Sequence, residues 1–236
     1  MKTKIVSFGD SFVYGTELQN NHNGHQSWIG LAAKKLNVAY KTLAVPGCGN
    51  ENIFKQILFY FSRNPAHDVL AVINWTYARR WDIYFSEKEN WTTLGMDCVP
   101  RKLSNFIDNE DEASKIIEFY KKNSGPNHVW NRWRSLQTIY CAQQYLKSLN
   151  IKVIQTYMDT SIWDSFLPNQ KTVPDYIQPL QAITKFELET FEGLNFLEWS
   201  RKNGYKITDP WLHPLEEAHQ AACELWLDRY QQALNE

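Results

Sequence analysis

Residues that can perform nucleophilic catalysis lie near both ends of this sequence. Ser11 follows the apolar run KIVSF and the pair Gly9-Asp10, and His213 lies in the segment ITDPWLHPLEEA, a short distance after Asp209. A serine hydroxyl is a weak nucleophile until a neighbouring base takes its proton, and a carboxylate can hold a histidine in the tautomer that this task needs. The sequence therefore predicts a catalytic group of Ser11, His213 and Asp209, provided that the fold brings the two ends of the chain together.

A parallel α/β sheet is the kind of fold that would do so. Short apolar runs alternate along the chain with longer segments of helical spacing. The predicted strands are 4–8, 39–45, 68–74 and 151–156, and the predicted helices are 28–36, 51–63, 130–149 and 214–234. This alternation favours right-handed βαβ units. It predicts a three-layer α/β/α sandwich with a central parallel sheet, of the flavodoxin-like kind.

The chain length favours one domain over residues 1–236. Two regions interrupt the alternation, around 80–127 and 158–194. The first is polar and acidic in part, and the second is rich in proline and aromatic residues and could hold a fifth strand. We expect both to be insertions that leave the carboxyl edge of the sheet, where α/β proteins place the loops that shape a binding site.

Composition and charge exclude several classes of protein. The net charge is −1 and the pI is near 6.6, so no strongly basic surface indicates a nucleic-acid partner. No apolar stretch reaches the roughly 18 residues of a membrane span, and no signal-peptide region precedes the first strand. The scattered cysteines 48, 98, 141 and 223 form no metal-binding pattern. We therefore expect a cytoplasmic protein with free thiols, no metal and no cofactor, and the sequence leaves its oligomeric state open.

Three blocks of this sequence together resemble the SGNH hydrolase, or GDSL-type esterase/lipase, superfamily. Gly9-Asp10-Ser11 matches the family's first block, NVAYKTLAVPGCGNENI resembles the second, and TDPWLHP resembles the last. The G-x-S-x-G motif of α/β-hydrolases is missing. The resemblance implies Ser11 as nucleophile, His213 as base and Asp209 as the orienting acid. It also implies that the backbone N–H groups of Ser11 and Gly47 bind the oxyanion. The motifs GDSFxYG, PGxxN and WTxxR are most similar to a divergent phage and bacterial branch.

Two departures from the family pattern affect this assignment. The last block usually reads Asp-x-x-His, whereas one more residue separates Asp209 from His213 here. The third block usually supplies an asparagine to the oxyanion hole after the third strand, but this chain has Trp75-Thr76-Tyr77-Ala78 at the aligned positions. Asn74 could replace that asparagine only if the strand ended early, because strand periodicity otherwise points its side chain away. The hydroxyl of Thr76 is the other candidate donor.

Other residues near these blocks are candidates for substrate binding. Asp10, Trp75 and Arg79 are adjacent in sequence to the predicted nucleophile or the third block. Each has a structural alternative, since Asp10 could cap a helix, Trp75 could be core and Arg79 could belong to a surface pair. The ten tryptophans of the chain are mostly expected in the core, and a surplus of tryptophan is also typical of proteins that bind sugar rings.

These patterns predict a serine esterase that hydrolyses a small acyl ester through an acyl-enzyme. An O-acetylated carbohydrate is the favoured substrate class because of the aromatic surplus. Two alternatives stay open on the sequence. One is a non-catalytic ligand- or carbohydrate-binding protein on a degenerate SGNH scaffold, and the other is an O-acyltransferase that uses the same residues.

Overall fold

The computed structural model describes residues 4–64, 68–88, 90–95, 103, 106–124, 128–165 and 172–236. Four strands of this part form the central sheet: β1 (Lys4–Phe8), β2 (Ala39–Thr42), β3 (Val69–Trp75) and β6 (Lys152–Tyr157). Their order is β2-β1-β3-β6, and every neighbouring pair is parallel. The predicted central parallel sheet is confirmed.

Helices cover both faces of this sheet. On one face lie α2 (Trp28–Lys35), α7 (Phe196–Lys202) and α8 (Glu216–Asn235). On the other face lie α3 (Asn50–Phe61) and α5 (His128–Ser148). The remaining described helices are α1 (Ser11–Tyr14), α4 (Glu110–Ser124) and α6 (Gln178–Phe186). The result is the predicted three-layer α/β/α arrangement, with one hydrophobic cluster on each face of the sheet.

Strand β3 runs through the centre of the molecule, and all seven of its residues are buried. Its side chains alternate between the two clusters: Leu70 and Val72 face the α2/α8 side, whereas Ala71, Ile73 and Trp75 face the α3/α5 side. Such a strand is apolar along its whole length because helices cover both of its faces. The strand continues through Trp75, so it does not end early at Asn74.

The first predicted insertion, 80–127, contains regular structure that the sequence did not reveal. Strands β4 (Trp81–Phe85) and β5 (Asn90–Leu94) form an antiparallel hairpin. Helix α4 covers the hairpin, and its side chains Ala113, Ile117 and Tyr120 form a small separate core with Leu94 and Leu103. Residues 89, 96–102, 104–105 and 125–127 of this predicted insertion lie outside the described part.

The second predicted insertion, 158–194, adds helix α6 and a short antiparallel bridge between Phe191 and Leu194. Residues 166–171 lie outside the described part, and no fifth strand of the main sheet occurs among the residues that are described. Helix α6 packs against α5 at the outer side of the sheet.

Some predictions about composition can be compared with the described residues. None of their helices combines the length and the apolar character that crossing a bilayer requires. They include no group of three or more histidine, cysteine, aspartate or glutamate side chains placed to hold a metal ion. Cys48, Cys141 and Cys223 are free thiols, and Cys98 lies outside the described residues.

Candidate active site

The turn after β1 presents Ser11 at the carboxyl edge of the sheet. A side chain on Gly9 would lie 2.4 Å from Val13 Cγ2 and 3.1 Å from the Asn74 carbonyl oxygen, so this turn has room only for glycine. Asp10 then caps α1 by accepting a hydrogen bond from the Phe12 N–H at 3.0 Å. Ser11 is therefore the first residue of a short helix whose position is fixed on both sides.

His213 reaches Ser11 from the far end of the chain. Its Nε2 lies 2.9 Å from Ser11 Oγ, and its ring contacts the edge of Phe12 with the centroids 5.2 Å apart. The loop that carries His213 is closed on itself, because Thr208 N–H donates to the His213 carbonyl at 2.9 Å and His213 N–H donates to Thr208 Oγ1 at 3.0 Å. The imidazole is thus held at hydrogen-bonding distance from the hydroxyl.

The other ring nitrogen of His213 faces Glu17, a residue that no sequence motif indicated. Glu17 Oε2 lies 3.1 Å from His213 Nδ1. The pKa of Glu17 lies below its usual range because of a hydrogen bond with the Thr208 side chain and, further, its contact with His213, while burial opposes the shift. Glu17 has a left-handed backbone with φ of 72°. This backbone follows Gly15, which ends α1 in the same conformation.

Asp209 does not take the position that the sequence predicts for it. Its side chain is exposed and makes no hydrogen bond or ion pair to any other described residue. The Thr208 carbonyl closes the loop by accepting from Leu212 N–H at 3.0 Å, and Thr208 also pairs with His213, which leaves Asp209 at the outer side of this turn. The additional residue between Asp209 and His213 is accommodated in this way, and the carboxylate beside the imidazole comes from the other end of the chain.

Gly47 lies in a loop that continues β2 alongside the nucleophile turn. Leu43 N–H donates to the Ser7 carbonyl at 2.8 Å, and Val45 N–H donates to the Gly9 carbonyl at 2.9 Å. Gly47 itself has φ of 78° and open space around it. Within the described residues, no acceptor binds the N–H of Ser11 or Gly47. Both amides are therefore free, on neighbouring loops at the same edge of the sheet.

Asn74 and Thr76, the two predicted side-chain donors to an oxyanion, both bind other side chains in this structure. Asn74 is fully buried within β3, where its Oδ1 accepts from the Thr156 hydroxyl at 2.8 Å. Its Nδ2 is buried without an acceptor in the described chain, so it has no surface to offer a substrate. Thr76 donates its hydroxyl proton to Asp10 Oδ2 at 2.7 Å. In this structure both side chains are thus hydrogen-bonded to neighbours within the described part of the chain.

The three predicted substrate-binding residues differ in their surroundings. Asp10 is completely buried, and its Oδ2 accepts from Arg80 Nη1 at 2.7 Å, so it cannot contact a substrate. Trp75 is also completely buried and donates through Nε1 to Gln155 at 3.0 Å, which makes it a core residue. Arg79 is exposed, and its carbonyl accepts from the Tyr120 hydroxyl. Only Arg79 keeps a side chain that is accessible from solution.

A set of polar side chains fixes the turn after β3. Asn50 accepts from Thr76 N–H at 2.9 Å and donates to the Thr76 carbonyl at 3.2 Å. Asp82 accepts from the N–H groups of Gly49 and Asn52, at 2.9 and 2.7 Å, and so caps the start of α3 from another element. The motif PGCGN contained Asn50, but its partner in the third block could not be inferred from the sequence.

Two further side chains complete the surroundings of Ser11. Cys48 lies next to Gly47, but it is buried, its Sγ donates to the Gly9 carbonyl, and burial raises its pKa well above the ordinary value. A thiol in this state is a poor nucleophile. Trp211, by contrast, is 53 % exposed in the loop that carries His213. Its indole therefore provides an apolar surface within two residues of the imidazole.

Comparison with solved structures identifies the fold. A lipolytic G-D-S-L family protein from Veillonella parvula superposes with a TM-score of 0.52 at 12 % identity, covering 98 % of this chain and 99 % of that one. The esterase EstA from Pseudoalteromonas, in a structure inhibited by monoethylphosphonate, gives 0.51 at 14 % identity and covers 99 % and 100 %. The chain has the SGNH hydrolase fold.

This fold explains why a serine after the first strand and a histidine before the last helix meet at one edge of the sheet. The two superpositions cover 98 % and 99 % of this chain. No family model matches the sequence, and no curated protein matches it significantly. The likeness to these solved structures is therefore a likeness of fold, at 12–14 % sequence identity.

Proposed function

We propose that this protein is a serine esterase that cleaves a small acyl ester. The observation that carries the proposal is the 2.9 Å contact between Ser11 Oγ and His213 Nε2, with Glu17 at 3.1 Å from Nδ1 on the opposite side of the same ring. A nucleophile, a base within hydrogen-bonding reach and an acid that orients the base are the groups that acyl transfer needs. We assign the orienting role to Glu17 in place of Asp209.

The proposed reaction has two stages. His213 Nε2 takes the Ser11 proton while Oγ forms a bond to the ester carbonyl carbon, and the Ser11 and Gly47 N–H groups stabilise the negative oxygen that results. The carbon–oxygen bond to the alcohol then breaks, and the alcohol leaves with the proton from His213. Water then attacks the acyl-enzyme while His213 takes its proton. The bond between the acyl carbon and Ser11 Oγ breaks, His213 returns that proton to Oγ, and the carboxylic acid is released.

Glu17 supports this cycle through electrostatics. With Nδ1–H donating to the Glu17 carboxylate, the neutral imidazole must present an unprotonated Nε2 to Ser11, which is the tautomer a base needs. The lowered pKa of Glu17 keeps its carboxylate ionised at neutral pH. The charge also stabilises the imidazolium that forms during attack.

For the substrate we propose an O-acetylated carbohydrate. The exposed indole of Trp211 lies in the loop of His213 and offers a flat apolar surface of the kind on which sugar rings stack. Comparing acetyl release from O-acetylated oligosaccharides by wild type and Trp211→Ala tests this choice. A selective rise in KM for the sugar esters, with unchanged hydrolysis of p-nitrophenyl acetate, is the expected result, and equal parameters for both substrates would contradict it.

A fluorophosphonate probe tests the nucleophile without assuming a substrate. We expect one covalent adduct in the wild type, which peptide mass mapping places on Ser11. Ser11→Ala should form no adduct, and His213→Ala should form it much more slowly. The control is Ser148→Ala, which removes an exposed hydroxyl at the end of α5 and should label like the wild type. An adduct on another residue, or none under conditions where p-nitrophenyl acetate is also stable, would overturn the esterase proposal.

The binding-protein alternative is less well supported by this geometry. A degenerate scaffold would have lost the contact between the nucleophile and its base, whereas here these atoms lie 2.9 Å apart. The same fluorophosphonate experiment separates the two functions, because a protein that only binds its ligand has no activated serine to label.

A further inference from the structure

The proposed oxyanion site has two free backbone amides and lacks the side-chain donor that the third block would supply. Asn74 and Thr76, the two residues predicted to fill this role, are bonded to Thr156 and Asp10 respectively. An oxyanion hole that loses one donor typically loses a factor of about 10²–10³ in kcat. A replacement donor near Ser11 and Gly47 would therefore have a large effect on catalysis.

Arg80 is anchored to both loops that carry these amides. Its Nη1 donates to Asp10 Oδ2 at 2.7 Å and to the Cys48 carbonyl oxygen at 3.1 Å. Asp10 directly precedes Ser11, and Cys48 directly follows Gly47. One nitrogen of the guanidinium therefore connects the nucleophile turn to the Gly47 loop.

The rest of the guanidinium is available for another partner. Its Nη1 also lies 2.7 Å from Thr76 Oγ1, so three acceptors share the two hydrogens of this nitrogen. Its Nε and Nη2 donate to no residue in the described part of the chain. The side chain keeps 18 % of its surface exposed, while its ion-pair partner Asp10 has none. The arginine thus has one nitrogen held inside the protein, whereas its other N–H groups bind no acceptor in the described chain and the side chain is partly exposed.

We propose that Arg80 takes the place of the third-block asparagine, with its free N–H groups serving as the side-chain donor to the oxyanion. This assignment rests on the proposed esterase function. Arginine suits the role because its planar group can hold Asp10 with one nitrogen and still present further donors in a fixed direction. The fixed direction matters because donors that need no reorganisation contribute most to stabilising the transition state.

Arg80→Ala tests the assignment with p-nitrophenyl acetate as substrate. We expect kcat to fall by about 10²–10³-fold with KM changed by less than about threefold, because the contact forms mainly in the transition state. The rate of fluorophosphonate labelling of Ser11 should fall in parallel. The matched control is Arg229→Ala, which removes an arginine of α8 that pairs with Glu189 and should leave kcat unchanged.

Measuring Arg80→Ala in an Asp10→Asn variant shows whether Arg80 donates to the oxyanion itself or only positions Asp10. In Asp10→Asn, a donor role predicts that adding Arg80→Ala still lowers kcat by at least about thirtyfold. If Arg80→Ala has no further effect there, Arg80 acts only through Asp10 and the assignment is overturned. Thermal melting checks that each variant is folded. Should Arg80→Ala fail to fold, Arg80→Lys and Arg80→Gln are judged by the same ratio of kcat values.

The wild type and Ser11→Ala distinguish failure of this assignment from failure of the esterase proposal. If the wild type turns over ester and Ser11→Ala does not, but Arg80→Ala keeps kcat within about threefold, only the role of Arg80 is overturned. If the wild type shows neither turnover nor labelling of Ser11, the esterase proposal fails and the role of Arg80 fails with it.

Discussion

Two carboxylates lie on either side of Ser11 in sequence, and their surroundings are opposite. Asp10 is completely buried and paired with Arg80, whereas Glu17 keeps 32 % of its side chain exposed and faces His213. A buried charge must keep its partners, because removing one leaves the other without compensation. An exposed charge can be changed at little cost in stability. Together with the proposed mechanism, the comparison predicts that Asp10 contributes mainly to stability and Glu17 mainly to proton transfer.

Replacing Asp10 should give the largest effect of these variants, and the effect should be on the stability of the fold. Asp10→Ala removes the cap of α1 and the partners of Arg80 and Thr76. We expect the free energy of unfolding to fall by about 3 kcal/mol, near the lower end for a broken buried pair because Arg80 retains some exposure. Denaturant unfolding monitored by circular dichroism measures it, and a loss below about 1 kcal/mol would contradict the assignment.

Glu17→Gln should show the opposite pattern, with a loss of activity and little change in stability. We expect kcat for p-nitrophenyl acetate to fall by about ten- to hundredfold, because a neutral amide neither fixes the tautomer nor stabilises the imidazolium. The free energy of unfolding should change by less than about 0.5 kcal/mol, since the contact is partly exposed. Glu217→Gln, which changes an exposed acidic residue in the first turn of α8, is the control for a charge change alone. Unchanged kcat in Glu17→Gln would return the orienting role to another residue.

Two histidines differ in burial in the same way as these carboxylates, since His213 is partly exposed and His219 is buried. His219 is buried, accepts a hydrogen bond from the Trp28 N–H at 3.1 Å, and its pKa is lowered to about 3 by burial. The unfolded chain therefore binds a proton near pH 6.5 that the folded chain excludes. Stability is complete above that pH and should fall by about 2 kcal/mol on going down to about pH 5.

His219→Asn tests this origin of acid sensitivity. Asparagine keeps an acceptor for the Trp28 N–H and has no titrating group. The variant should show a shallower loss of stability between about pH 6.5 and 5 in denaturant unfolding. An identical pH profile for the wild type and His219→Asn would mean that other groups cause the loss.

The smallest expected effect is at Asp209. Because its side chain is exposed and away from the His213 ring, Asp209→Asn should change kcat by less than about threefold. A drop as large as that of Glu17→Gln would show that the carboxylates exchange roles during turnover. Asp209→Asn and Glu17→Gln are therefore compared by measuring kcat for both under the same conditions.

Much of the fold could be predicted because its signals are local. The apolar run of β3 and the helical spacing of α3 and α5 each identify one element without knowledge of the rest of the chain. The hairpin of β4 and β5 was not predicted, because it buries only a small core against α4 and its strands lack a clear alternating pattern.

The candidate site was only partly predictable, for a different reason. Ser11 and His213 were identified because their short motifs predict a role, and the fold brings them together. Glu17 had no such motif, and its contact with His213 depends on a left-handed backbone and on a partner at the other end of the chain. Asp209 was chosen because it is close in sequence, but the closed loop around Thr208 turns it away.

The meeting of residues 11, 17 and 213 has a consequence for protein synthesis. The four described strands of the main sheet are complete once Tyr157 has been made, so Ser11 and Glu17 are present long before His213 is translated. A nascent chain, or the product of a premature stop codon before residue 213, would carry the nucleophile without its base. Under the proposed esterase mechanism, hydrolytic activity would then begin only when the last helix docks against α2, and unfinished copies of the chain would be inactive.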